Sequence, residues 1–488
     1  MSAEVTLVKE NRNSKVAVAA ALSCYGPSLV PIEAENPVLL ASLFKSGHHT
    51  TFQHRSYTFQ LSGVSRYLVW ALLHSHPFYN SSQVSQRYVK TDPKNFYGMT
   101  EEANRHYKGA ILDAVKAYQE LVDLILPKAQ DLYYKRFAHR KGDAKYDKDP
   151  QKIAWENARY VLPLATTCHL YHTIDFLTLM RLKSVADSPC YAPEGRELVD
   201  KMLKVVLAYD PALRSIADSV EWGKINQNGS YDPHKADIAN KEFDQPFSFQ
   251  DEKFDFALLM DYMPHNSGKF DRISRYVNDL GLAYQFNGPN DSTLNNDMTS
   301  RDAAIGESAI YQFAKKTSLS CDAQQQRHRS IRRVMPPLLS IMASKPDYYV
   351  PQIFKPEYEE EYCKRIEQQL RYFSTLAGEG NSGAVYALPN AVNVRFFETM
   401  SLNAFRHQAK MRLCMNAQEE IWKATTEESD QILKVHGWLL KAYPGGELIP
   451  NCVRRFNDHK EPPCLEGKRW CGTQPWRLNI GEKFFREY

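Results

Sequence analysis

Two short polar motifs carry most of the chemistry this chain can offer, and 240 positions separate Arg87 in one from Arg327 in the other. Arg327-His328-Arg329 sets two permanent cations and an imidazole side by side. A guanidinium is a planar fork of donors that suits phosphate oxygens and carbonyl edges. On a loop or helix start, such a tripeptide suits a dinucleotide pyrophosphate or an electron-rich ring. Arg332 and Arg333 follow closely, so the run also reads as a solvated basic face. Ser85-x-Arg87-Tyr88 offers a hydroxyl and a guanidinium two residues apart, and from an irregular loop both can point at one phosphate. Asn80-Ser81-Ser82-Gln83 adds amide and hydroxyl donors just before it. Taken alone, a motif this short arises by chance in many chains.

Other groups are more ambiguous. His48, His49 and His54 fall within seven residues, with Thr50 among them. No carboxylate or cysteine stands between them to complete a metal site, so hydrogen bonding near a cofactor or a strand edge is the better fit. Arg412, Asn416 and Glu420 follow at i, i+4 and i+8, one face of a helix, and Asn403 and His407 roughly extend the series upstream. That stripe reads equally as a site lining or as a solvated face. Cys452, Cys464 and Cys471 enclose His459 but lack a C-x2-C knuckle, so no metal is expected there.

The elements that must position these groups occur twice. Ala158-Arg159-Tyr160-Val161-Leu162-Pro163 recurs as Ala384-Val385-Tyr386-Ala387-Leu388-Pro389 at an offset of 226, and Thr173 recurs as Thr399 at the same offset. Each half runs from a β-type stretch (Ser56–Phe59; Ala309–Phe313) through a long helical middle to the L-P element and more helix. Glu102–Leu126 and Asn403–Leu433 repeat apolar residues at helical spacing, the latter without glycine or proline. The expected class is α+β, two tandem copies of one fold, spanning residues 1–240 and 250–488. The polar stretch Asn226–Asp251 reads as the break between copies, and Asn287–Asp302 as a loop inserted in the second.

Composition narrows the class. A formal charge of +4 is too small to argue for nucleic acid. No run of about 18 apolar residues predicts a membrane span, and Met1–Val5 opens with no secretory signal. Nine scattered cysteines do not make a disulfide scaffold, so the expected compartment is reducing and cytoplasmic.

Together the motifs resemble the flavin-dependent thymidylate synthases. The run from Gly47 to Arg66 (G-H-H-T-T-F-Q-H-R-S-Y-T-F-Q-L-S-G-V-S-R), followed by S-Q-R-Y-V and A-R-Y-V-L-P, is similar to the N-terminal part of that family. R-H-R, A-L-P, T-M-S-L-N, R-x-x-x-N-A-Q-E-E-I and the tail C-L-E-G-K-R-W-C-G resemble later parts. The matching segments cover about half of the chain. In the family, R-H-R and S-x-R sit on one segment, seven residues apart; here each half keeps what the other lacks. The S-x-R position of the second half falls on Pro337-Leu338-Leu339, the R-H-R position of the first on Ser75-His76-Pro77. In the first half, prolines replace the A-Q-x-E-I pattern within S-P-C-Y-A-P-E-G-R-E.

The resemblance implies an α+β fold that makes a homotetramer with sites at its interfaces. It also implies FAD, NADPH as reductant, methylenetetrahydrofolate as carbon donor and conversion of dUMP to dTMP, with no cysteine nucleophile. Carried over, it puts Gln83, Ser85, Arg87, Arg159 and Gln324 on the nucleotide. It puts Arg327 and Arg412 on the reacting ring. His48, Thr50, Arg327, His328, Arg329, Asn403, His407 and Asn416 fall on the flavin. The complementary losses imply one composite site between the copies, and a homodimer imitating the family tetramer with half its sites alive. Asn416 stands where many family members carry a different polar residue, which leaves open a related pyrimidine nucleotide hydroxymethylase. A catalytically inactive nucleotide-binding scaffold is the reading from another class.

Overall fold

The structure, a computed structural model, describes residues 3–10, 14–23, 30, 35–87, 96–100, 102–186, 192–220, 233–244, 255–265, 306–338, 342, 345–381, 383–442 and 448–477. Strand residues alternate between core and exterior with period two. In Ser56–Ser65, Tyr57, Phe59 and Leu61 point inward; in Ile310–Ser318, Tyr311 and Phe313 do the same. Two antiparallel sheets result. The first comprises β1 (Glu4–Glu10), β2 (Ser56–Ser65), β3 (Asn80–Gln83) and β4 (Thr167–Asp175), in the order β1-β2-β4-β3. The second comprises β5 (Ala257–Met263), β6 (Ile310–Ser318), β7 (Arg332–Val334) and β8 (Asn393–Ser401), in the order β5-β6-β8-β7. The order of pairing is the same in both, and Thr173 pairs with Thr58 as Thr399 pairs with Gln312. The chain is a tandem duplication of one α+β fold.

Local chemistry repeats with it. β2, β4, β6 and β8 each run directly into a helix, and the last strand residue caps it: Ser65, Asp175, Ser318 and Ser401 accept from the backbone N–H three residues on. The two L-P elements form 3-10 turns, Arg159–Val161 and Ala384–Ala387. They meet each other. Leu164 N–H donates to Leu388 O (2.9 Å) and Ala165 N–H to Tyr386 O (2.8 Å). The bonds are returned by Asn390 N–H to Leu162 O and Ala391 N–H to Tyr160 O, both 2.9 Å. Each donor and acceptor is the 226-offset counterpart of its opposite number, the self-complementary pattern of a two-fold interface.

A second pair of straps crosses the same axis. Buried Glu194 accepts from Ser65 N–H (2.8 Å) and Ser65 Oγ (2.5 Å) of its own copy and from Tyr386 Oη (3.0 Å) of the other. Glu420, 226 positions later, accepts from Ser318 N–H (2.7 Å), Ser318 Oγ (2.5 Å) and Tyr160 Oη (2.7 Å). Burial raises both carboxyl pKa values to about 7 against these stabilising bonds. One apolar core runs through both copies, from Phe59 and Leu170 to Phe373 and Phe396.

The copies differ in length at one informative place. Ser65 and Ser318 lie 253 positions apart but Glu194 and Glu420 only 226, so copy one carries 27 more residues between these landmarks. They extend its long helix, Arg105–Arg136, against Glu359–Gly378 in copy two, and add two 3-10 turns and the helix Asp149–Ala158.

Two expectations need correction. The stretch Asn226–Asp251, read as a polar break, contains the helix Pro233–Phe243. This helix packs on the second sheet: Phe243 meets Phe397 (5.1 Å between centroids) and Asp244 pairs with Arg395 (2.6 Å). The helix expected over Asn403–Leu433 is two helices, Leu402–Arg412 and Glu419–Ala442, with an irregular segment between them. The loop proposed at Asn287–Asp302 lies outside the described residues.

Candidate functional site

The irregular segment Leu413–Gln418 is where the two copies' polar groups converge. No proline or glycine breaks the helix there; tertiary bonds do. Arg87 Nη2 from copy one donates to Asn416 O (2.6 Å), and Trp422 Nε1 to Leu413 O (3.2 Å). Arg159 Nη2 donates to Gln418 Oε1 (2.6 Å), which also accepts from Gln324 Nε2. Gln418 Nε2 reaches Tyr160 Oη. Arg412 Nη2 donates to Gln324 O (2.7 Å), and Arg412 Nε to His328 Nε2 (2.9 Å). Thus Arg87 and Arg159 of copy one join Gln324, His328, Arg412, Asn416 and Gln418 of copy two within a single chain.

The electrostatics are those of an anion site. Among the described residues, no carboxylate stands within ion-pair distance of Arg159 or Arg412. Burial lowers the Arg412 pKa to about 10, and nearby Arg87, Arg327 and Arg333 push the same way. Burial also lowers that of Arg159, helped by Arg87 and Arg66. Its Nε is buried without a partner. A buried cation left to neutral acceptors is costly and is a mark of a binding site rather than of a structural pair. Arg87 is the exception: its fork is held by Glu156 (2.7 Å) from the helix Asp149–Ala158. Burial and surrounding cations hold the His328 pKa well below its ordinary value, so the imidazole is neutral and can accept from Arg412.

The R-H-R turn is pinned from below. Arg327 and Arg329 are exposed and His328 is buried, with the His407 ring 5.6 Å away. Arg333 donates to Gln325 O (2.8 Å) and to Glu398 (2.5 Å). Fully buried Lys315 joins Glu428 (2.6 Å) and Glu398 (3.4 Å), whose charges outweigh burial and raise its pKa. Copy one has Leu61 in the corresponding strand position, opposite Leu170 as Lys315 is opposite Phe396. Copy one supports the turn from the side: Tyr79 Oη donates to Gln326 O (3.3 Å), and the Arg329 guanidinium lies 5.5 Å from the Tyr79 ring. Trp70 Nε1 donates to buried Asp322 (2.7 Å).

The other sequence-derived residues fall variously. Ser85 Oγ accepts from Arg87 N–H (3.2 Å) and shapes that loop. Gln83 Oε1 accepts from Arg66 (3.1 Å), which holds β3. Tyr88 lies outside the described residues. His48 and Thr50 do not join the cluster. They are exposed at the start of a 3-10 turn that leads into β2 at Ser56. The opposite end of this 10-residue strand, Ser65, leads to Arg66, about 30 Å away at 3.3 Å per residue. Asn403 opens the helix that Arg412 closes, about 13 Å along it, and bonds Glu307 (2.9 Å). Arg412, Asn416 and Glu420 do not share a helix face, because the helix stops at Arg412; Glu420 is the buried strap.

Sequence reasoning missed Gln418, Glu156 and Tyr160. Gln418 sat inside a quoted motif, and the recurrence of Tyr160 as Tyr386 was the available signal. Glu194 was also missed: it keeps the acid of the A-Q-x-E-I pattern amid prolines. At the two-fold-related place, the counterparts of Arg159 and Arg412 are Val385 and Ala186, both buried and apolar. Cys414, Cys452, Cys464 and Cys471 line one cavity, yet among the described residues no three His, Cys, Asp or Glu groups are placed to hold a metal. Nor, among those residues, is any helix long and apolar enough to cross a membrane.

Comparison with known proteins agrees with the duplication. The family described as "Thymidylate synthase complementing protein" matches residues 6–212 and again 254–436. A flavin-dependent thymidylate synthase of Clostridium tetani is 30% identical over 221 residues, 44% of this chain and 86% of that protein. One from Mycobacterium tuberculosis is 28% identical over 193 residues, 38% of this chain and 70% of its own length. Among solved structures, a UMP/dUMP methylase PolB from Streptomyces cacaoi bound with 5-Br dUMP aligns at 20% identity and a TM-score of 0.33, covering 46% of this chain and 97% of that one.

Proposed function

The chain belongs to the thymidylate synthase complementing protein family, and we propose that it is a flavin-dependent thymidylate synthase with one composite site per chain. The reaction is reductive methylation of dUMP to dTMP, with methylenetetrahydrofolate as carbon donor and NADPH as reductant. The observation that carries this reading is the meeting of Arg87 and Arg159 with Arg412 around Gln418, two of the three without a carboxylate.

Arg87, Ser85 and Arg159 hold the 5′-phosphate, with Gln83 fixing the strand that presents them. The phosphate takes the place of Glu156 on the Arg87 fork, a bidentate exchange of one anion for another. Gln324 and Gln418 are the neutral amides that space the guanidiniums. Arg412, protonated at neutral pH even with its lowered pKa, sets a fixed positive charge where negative charge builds on the pyrimidine ring. Neutral His328 orients it. Arg327 addresses the same ring.

The residues present fit FAD. Exposed Arg327 and Arg329, without ion pairs among the described residues, suit its pyrophosphate. The adjacent Gln325 amide is buried with neither atom hydrogen-bonded. His328, Arg329, His407 and Asn416 would hold it, and when bound it supplies the hydride chemistry. His48 and Thr50, remote from the cluster within one chain, would reach a flavin only from a second chain, as in a homodimer, whereas Asn403 stands one helical turn from His407, about 6 Å along the same helix. The compartment proposed is the cytoplasm.

The test is an ultraviolet–visible spectrum of the purified protein, followed by dUMP titration. Flavin absorbance and saturable dUMP binding are expected; colourless protein that binds neither would favour the inactive scaffold.

A further inference from the structure

Arg87 does not end the anion site; it stands at the junction of two cavities. One, of about 220 Å3, also holds Arg412 and Asn416. The other, of about 440 Å3, opens on the far side of Arg87 and is lined by six basic side chains against four carboxylates. Its walls are elements that copy two lacks or that lie past the family match. Arg136, Arg140, Lys145 and Lys152 come from the 27 extra residues of copy one, and Arg469 comes from the tail beyond residue 436.

Three of the four lining carboxylates are already taken. Asp149 pairs with Lys152 (2.8 Å), Glu156 with Arg87 (2.7 Å) and Glu419 with Lys423. Among the described residues, Arg140, Lys145 and Arg469 have no carboxylate within ion-pair distance. Arg140 is the most telling, since it is only 7% exposed. Its Nη1 donates to Tyr133 Oη (2.9 Å), and its guanidinium lies over the rings of Phe137 (3.8 Å) and Tyr146 (4.6 Å). Its Nε is buried without an acceptor. Holding a cation out of water with no counter-charge is costly unless an anion arrives to meet it.

We propose that the larger cavity receives the second phosphoryl group of a nucleoside diphosphate, whose first phosphate lies on Arg87 and whose base faces Arg412. A monophosphate ends at Arg87 and leaves Arg140, Lys145 and Arg469 without a counter-charge. This rests on the nucleotide reading above and extends its substrate class from monophosphate to diphosphate.

The experiment titrates the full-length protein with dUMP and with dUDP at fixed salt. dUDP is expected to bind at least tenfold more tightly, and Arg140→Gln to bring the ratio of the two affinities close to one. Because Arg140 is buried, the double variant Lys145→Gln/Arg469→Gln serves as a second probe and is expected to lower the ratio at least threefold. dUMP binding with a ratio near one in the wild type, or a ratio untouched by both variants, overturns the diphosphate assignment and leaves the nucleotide reading standing. Failure of both nucleotides to bind removes the nucleotide reading itself. If the variants instead weaken a polyglutamylated folate relative to its monoglutamate and leave the ratio unchanged, the cavity belongs to the folate tail and the assignment is wrong.

Discussion

Replacing Arg159 by methionine is expected to strengthen the fold and weaken the site together. Arg159 is 5% exposed, bonds a neutral amide at 2.6 Å, and carries an unpartnered Nε. Burying its charge therefore costs stability, which is recovered only when an anion is bound. Methionine has a similar reach and no charge to desolvate. Exchanging an uncompensated buried ion for an apolar side chain is neutral to stabilising, by about 1–4 kcal/mol. Gln418 Oε1 keeps its second donor, Gln324, so the exchange leaves that acceptor satisfied. On the binding side, a lost charge-assisted hydrogen bond to phosphate costs about 1.5–3 kcal/mol, or roughly 10- to 150-fold in dUMP affinity. Urea unfolding of the unliganded protein and equilibrium dUMP titration measure the two quantities. A variant that loses more than about 1 kcal/mol of stability while binding dUMP normally would refute the reasoning and make Arg159 a structural residue.

Other outcomes follow from the same geometry. Because Arg87 and Arg412 converge within one chain, mixing inactive Arg87→Ala and Arg412→Ala proteins is expected to restore no activity; recovery in a steady-state assay would place the site across two chains. Tyr160→Phe and Tyr386→Phe each remove a donor from a buried carboxyl and should cost similar stability, about 1–3 kcal/mol. Only Tyr160→Phe should also weaken dUMP binding, since Tyr160 touches Gln418 and Tyr386 faces the two-fold-related place. Glu420 has a folded pKa of about 7 against an ordinary 4.5, so the folded state holds its proton more tightly. Its contribution is thus full below about pH 4.5 and lost as pH rises through 7. The melting-temperature advantage of wild type over Glu420→Gln should shrink between pH 5 and pH 8, and an advantage that grows over that range would contradict the assignment.

The duplication was legible in the sequence because it is written in local terms. An L-P turn needs its own residues, a strand needs period two, and a serine or aspartate at a strand end caps the helix that follows. Those demands act on each copy separately, so they recur at a fixed offset. The loss of Arg159's counterpart was likewise visible as a letter, Val385, and the loss of the A-Q-x-E-I pattern as prolines. What letters could not convey is which groups meet. A run from Asn403 to Leu433 without proline or glycine has every reason to form one helix, and the polar stripe at i, i+4 and i+8 depends on that. The break at Leu413–Gln418 comes from Arg87, more than 300 residues away in sequence, claiming a backbone carbonyl that a continuous helix would have used. Lys315 in a strand core looks like an error until Glu398 and Glu428 arrive from two other elements to neutralise it. Arg140 is an unremarkable basic residue in the sequence, and becomes a buried cation only when a helix end, a 3-10 turn and two aromatic rings close around it. Repeats, caps and alternation are set by nearest neighbours along the chain. Convergence, burial and the pairing of charges are set by distances that only the folded chain defines.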